Sequence, residues 1–135
     1  MSYKIIDIEG VGEVYAAKLK TANVNTTEDL LQVAGTKKGR IQLAETTGIS
    51  EKLILTWTNH ADLMRIKGIA SQFSELLEAA GVDTVKEFAT RVPENLHKKL
   101  VEVNEAKGLS GTVPSLNALT DMVAQAKTLP QAVFH

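Results

Sequence analysis

The side chains able to do chemistry are few and widely spread. The 135 residues contain no cysteine, so thiol catalysis, disulfides and cysteine zinc sites are excluded. His60, His97 and His135 lie far apart and lack metal-ligand spacing. His60 and Asp62 are two apart, which on a helix points them in different directions. There is no HExxH, no paired-carboxylate site and no Walker-type glycine loop, and the serines and threonines gather at helix starts rather than beside a base. The expectation is a non-enzymatic chain with no catalytic residue, metal ligand, cofactor or small-molecule substrate. Lys37, Lys38 and Arg40 form the densest basic cluster. They fall at a helix start, the unfavourable end for cations, and read either as a phosphate site or as a solvated loop. Trp57, the only tryptophan, shares an apolar stripe with Leu53 and Ala61 and is assigned to the core rather than to base stacking.

The elements that position these residues are organised by a repeat. Residues 8–31 and 66–89 align without a gap at an offset of 58. Ile8/Ile66, Gly10/Gly68, Leu19/Leu77, Ala22/Ala80, Val24/Val82 and Thr26/Thr84 are identical. Gly10 and Gly68 each occupy an apolar-Gly-apolar turn, where a residue without Cβ lets the backbone reverse. A helix then starts near Gly12 or Ala70. Its predicted apolar stripe is Val14, Tyr15, Ala17 and Leu19 in one copy and Phe73, Leu76 and Leu77 in the other. Asn23 and Gly81 fit left-handed helix ends, and Val24 and Val82 fold back over them. Thr26 and Asp83 or Thr84 cap a second short helix.

Two further helices follow in each copy. Thr36 or a neighbour opens one that Gly48 stops, and Ser50 caps another running from Glu51 to about Arg65, with Leu53 or Ile54, Trp57, Ala61 and Met64 on its apolar side. In the second copy Pro93 sits at a helix start, with Leu96, Leu100 and Val103 as its stripe. Gly108, Gly111 and Pro114 mark a loop, Ser115 caps a last helix, and Pro130 ends it. The β-branched run from Lys4 to Ile8 fits an extended lead-in or a helical turn. The prediction is an all-α single domain, residues 1–135, of about eight short helices. The repeats span about 1–65 and 66–129, and 130–135 form a C-terminal tail. Each half is too small to stand well alone, so a shared core is expected.

Composition is that of an ordinary globular chain, 44% hydrophobic and 23% charged. The net charge of −1 counts against a dedicated, strongly basic nucleic-acid binder but leaves room for a local patch. No apolar run is long enough for a membrane span, and no signal peptide is evident. The expected setting is the cytoplasm, without membrane contact.

The run from Ile8 to Ala16 resembles the turn of helix-hairpin-helix proteins. The helix 51–65 followed by Ile66-Lys67-Gly68-Ile69-Ala70 resembles a second copy with its leading helix. Across nearly its full length the chain resembles an uncharacterised, mainly bacterial domain-of-unknown-function family of tandem helix-hairpin-helix proteins, through Ala44–Ser50 and Trp57–Gly68 in particular. The resemblance implies two divergent helix-hairpin-helix repeats of about four short helices each, packed into one compact domain. It also implies weak, sequence-independent contact with a nucleic-acid backbone such as DNA. Gly10, Val11 and Gly12 would form one contact and Gly68, Ile69 and Ala70 the other, because a helix N-terminus presents free N–H groups and a positive dipole end to phosphate. Lys67 and Arg65 add charge and Ser71 a hydroxyl at the second turn, with Lys37, Lys38 and Arg40 as auxiliary charge. The chain departs from the pattern where Glu9 and Glu13 flank the first turn and where Ala70 and Ser74 replace Gly and Ala in the second. The alternative is a protein-interaction or scaffold module, as a homodimer or with another protein partner, in which the turns only join helices. The apolar Val133 and Phe134 of the tail fit that reading, or a tail folded back on the domain.

Overall fold

A computed structural model describes residues 2–135. Among them are eight α-helices: α1 Glu13–Thr21, α2 Thr27–Ala34, α3 Lys37–Thr47, α4 Glu51–Leu63, α5 Ser71–Ala79, α6 Val85–Phe88, α7 Pro93–Lys107 and α8 Leu116–Ala126. The β-branched run becomes one 3₁₀ turn, Ile5–Asp7, preceded by a single antiparallel bridge between Lys4 and Thr26. Helix starts follow the side chains predicted to make them. Thr26, Thr36, Ser50, Thr84 and Ser115 each accept a backbone N–H three residues on. At Thr26 the bond is reciprocated, since Asp29 accepts the Thr26 and Asn25 N–H groups, and these bonds hold the Asp29 carboxyl below its ordinary pKa.

The expected common core is instead two apolar clusters. One gathers Ile5, Ile8, Leu19, Val24, Leu30, Ile54 and Trp57 with their neighbours, and the other gathers Leu63, Ile66, Phe73, Leu77, Phe88, Leu100 and Leu119 with theirs. They meet at α4. From Trp57 to Met64 every residue is buried, and Ala61 and Met64 enter the first cluster while Leu63 enters the second. A helix buried on all sides serves as a shared wall, so neither half must close its core alone.

One further expectation changes, and one alternative is decided. Val14 is 70% exposed and Ala17 also faces solvent, so α1 buries only a narrow stripe around Tyr15, Ala16 and Leu19. The tail folds back: Val133 is buried, and the Phe134 N–H donates to the Gly35 carbonyl at 2.7 Å. No helix among the described residues is long and apolar enough to cross a membrane.

Candidate nucleic-acid interface

The two glycine turns adopt one conformation. Gly10 and Gly68 have φ of 91° and 92°, a region open to glycine and strained for other residues. In each turn the next N–H reaches back three residues, Val11 to the Ile8 carbonyl at 3.0 Å and Ile69 to the Ile66 carbonyl at 3.1 Å. Val11 and Ile69 are buried, 4% and 0% exposed, so the exposed residues of the turns are their neighbours Gly10, Gly12, Gly68 and Ala70. Gly12 and Ala70 then precede α1 and α5 in extended conformation, and neither helix start has a side-chain cap. Both helices therefore begin with first-turn N–H groups that no cap occupies.

The fold ties the first turn to the start of α5. The Glu9 N–H donates to Ser71 Oγ at 2.8 Å, linking the first turn to the first residue of α5. Each turn also rests on its own half. A Cβ on Gly10 would meet Trp57 Nε1 at 3.5 Å, and one on Gly68 would meet Met122 Cε at 3.0 Å. Trp57 is buried against Tyr15, with ring centroids 5.0 Å apart in an edge-on arrangement, which agrees with its core assignment. The Lys67 N–H donates to Gln125 Oε1 at 3.1 Å, while its side chain is exposed.

The expected cations divide. Lys37 and Lys38 are exposed in the first turn of α3. Arg40 does not join them. It is buried, donating to the carbonyls of Ala34 (3.0 Å), Gly35 (3.1 Å) and Phe134 (2.8 Å). Its guanidinium serves the C-terminal end of α2, where carbonyls point outward and a cation is favourable. Burial lowers its pKa, opposed by the charge of Glu51. Arg65 is also engaged: Nη1 pairs with Asp62 at 2.9 Å, and both Nη atoms donate to the Pro130 carbonyl. Lys18 has its Nζ 5.9 Å from the centre of the Tyr15 ring. Acids flank the first turn and the start of α5. Glu9 and Glu13 are exposed, and the Glu75 carboxyl is pushed up first by burial and then by the charge of Glu9.

A polar row runs from buried Ser74 and His60 to half-exposed Glu78. His60 Nε2 lies 3.0 Å from Glu78 Oε2, and His60 Nδ1 lies 3.2 Å from Ser74 Oγ. Serine, histidine and glutamate in sequence resemble a hydrolase triad in composition. Here Ser74 is fully buried and its hydroxyl donates to the Ser71 carbonyl at 2.7 Å, so the row joins α4 to α5 without exposing a nucleophile. Asp62 completes the joint by accepting the Val85 N–H at 2.9 Å. Ser74 and Glu78, four apart on α5, were the readable signal, since that spacing puts both on the face that meets His60. Among the described residues no three His, Asp or Glu side chains are placed to hold a metal ion.

The fold and these turns define a small all-α domain with paired, glycine-entered helix starts. The chain belongs to a family described as a domain of unknown function, DUF4332, whose sequence model matches residues 9–129. No curated protein and no solved structure matches it.

Proposed function

We propose that the chain is a non-enzymatic binding module of helix-hairpin-helix type, whose two turns contact a nucleic-acid backbone weakly and without sequence preference. The observation that carries this reading is a pair of like-shaped glycine turns, each leading into a helix start without a side-chain cap, with the Glu9–Ser71 bond tying the first turn to the start of α5. Each start offers first-turn N–H groups to a phosphate. Gly10, Gly12, Gly68 and Ala70 offer backbone without bulk, and Lys67 offers the exposed charge. Glu9 and Glu13 oppose a polyanion, which keeps the contact weak.

The test is fluorescence anisotropy of labelled double- and single-stranded DNA at low and physiological salt. Affinity should fall with salt, and because the slope scales with the few phosphates contacted the log–log slope should be shallow. Lys67→Glu should weaken binding and Glu9→Lys should tighten it. Absence of binding at low salt would reduce both turns to helix connectors. The second reading, a protein-interaction module, is favoured by one observation of its own, the exposed apolar surface around Val14 and Ile6.

A further inference from the structure

The polar row between α4 and α5 asks for two donors from one imidazole ring. Ser74 Oγ carries a single proton. Its 2.7 Å contact with the Ser71 carbonyl takes that proton, because two oxygens so close repel unless one donates to the other. The Ser74 oxygen must then accept, at 3.2 Å, from His60 Nδ1–H. His60 Nε2 stands 3.0 Å from Glu78 Oε2 and needs a proton of its own to donate to that carboxylate. Every bond of the row is made at once only when both ring nitrogens are protonated. The row also continues outward, since Ser71 Oγ accepts the Glu9 N–H at 2.8 Å. Glu78, His60, Ser74, Ser71 and Glu9 therefore form one polar chain that ends on the first turn. The repeat does not demand it, for the positions matching Ser74 and Glu78 are Ala16 and Lys20.

We propose that His60 is a pH-sensitive switch at the joint of the two halves, relayed through Ser74 and Ser71 to the first turn. A neutral ring has one donor and one acceptor. If Nε2 keeps its proton, the charge-assisted bond to Glu78 is retained and Nδ1 becomes the acceptor. The Ser74 hydroxyl then turns to Nδ1 and leaves the Ser71 carbonyl, in the residue whose Oγ holds the Glu9 N–H. The ring is 3% exposed, so its proton is exchanged for bonds inside the protein rather than for bonds to water. Glu78 and Glu75 of α5 face it, and so does Asp83 between α5 and α6, which also faces His135. Glu9 acts on this group through Glu75. On α4 itself, Asp62 is turned to Val85 and Arg65. The facing carboxylates offset the cost of a buried cation. The switch does not depend on nucleic-acid contact at the helix starts.

The test is an NMR titration of the full-length chain, uniformly labelled with nitrogen-15, from about pH 5 to about pH 8. Long-range proton–nitrogen spectra report the proton on each ring nitrogen, and amide spectra follow Glu9, Ser71 and Ser74. At the acid end both His60 nitrogens should be protonated. As pH rises Nδ1 should lose its proton, and the Glu9 and Ser71 amides should shift with the same midpoint. Ser74→Ala removes only the hydroxyl and should abolish the shared shift at Glu9 while the ring still titrates. Glu75→Gln should keep a shared shift. A His60 ring that holds one protonation state across the range would overturn the proposal. So would a Glu9 amide indifferent to the ring or a shared shift that survives in Ser74→Ala. A shift that disappears in Glu75→Gln would overturn it too, by assigning the response to that carboxyl.

Discussion

Replacing Asp62 by alanine removes the one carboxylate that ties α4, α6 and the chain end together. Its side chain is 3% exposed, it accepts the Val85 N–H at 2.9 Å, and it pairs with Arg65, which in turn holds the Pro130 carbonyl. The alanine variant strands a buried N–H, at a cost of about 1–3 kcal/mol, and leaves a cation that is 15% exposed without its partner. Breaking a buried pair from one side costs about 3–5 kcal/mol, a large share of the roughly 5–15 kcal/mol that holds a domain folded. The expected fall is about 3–4 kcal/mol, read by urea denaturation, with the thermal midpoint down by about 10–15 °C. Asp62→Asn keeps an acceptor for Val85 and should lose about 1–2 kcal/mol. The pH dependence separates the causes. Burial pushes the Asp62 carboxyl up, outweighing the Val85 bond and the Arg65 charge that pull it down. A folded value above the unfolded one means that the native state holds the proton more tightly, so this stabilisation is fully present below about pH 3.9 and is lost as pH rises through the folded value. The stability gap between the native sequence and Asp62→Asn should therefore narrow as pH rises from about 4 toward neutrality. Glu75 and Asp83, also raised by burial, titrate in both proteins and cancel in the difference. A gap that widens with pH would mean that the Arg65 pair governs Asp62, and the assignment of burial as the dominant cause would be wrong.

Gly68→Ala should lose about 1–3 kcal/mol in urea, because φ is 92° and the new Cβ lies 3.0 Å from Met122 Cε. Gly12→Ala, extended and with nothing within 4 Å, should stay within about 0.5 kcal/mol of the native chain, as Ala70 at the matching position implies. Tyr15→Leu should cost about 1 kcal/mol through the lost edge contact and change the emission of Trp57, the only tryptophan. Val133→Ala should cost about 2 kcal/mol by calorimetry, since that side chain is 3% exposed. No loss at Val133 would mean that the tail is not docked in solution.

Much of the fold was legible because local signals agreed with the global one. Thr26, Ser50 and Ser115 cap the helices the sequence assigns them, Thr36 and Thr84 are the caps among the alternatives left open there, and Asn23 and Gly81 both have positive φ. What was not legible depends on partners distant in the chain. Lys37, Lys38 and Arg40 look alike in sequence, and only the α2 carbonyls and the returning Phe134 carbonyl select Arg40 for burial. Val14 reads as core on a helical stripe, but whether a stripe is covered depends on what packs there, and nothing in the structure covers that part of α1. His60 and Asp62 do diverge around α4 as their spacing requires. Both are nonetheless buried, because α4 has neighbours on every side.

The candidate interface shows the same dependence in its electrostatics. Read in sequence, Glu9 belongs to the first turn alone and Lys67 and Arg65 to the second. In the fold the Glu9 N–H binds Ser71, so its residue stands at the start of α5, and its charge adds to the burial that raises the Glu75 carboxyl. The second turn meanwhile loses Arg65 to Asp62 and Pro130. The contrast between an acidic first turn and a basic second one is therefore weaker in the fold than in the sequence: the start of α5 has Glu9 beside it, and Lys67 keeps its side chain exposed while Arg65 is engaged. A phosphate approaching the start of α5 would meet the acid of the other turn, so Glu9→Lys should raise affinity at the second turn as well as at the first.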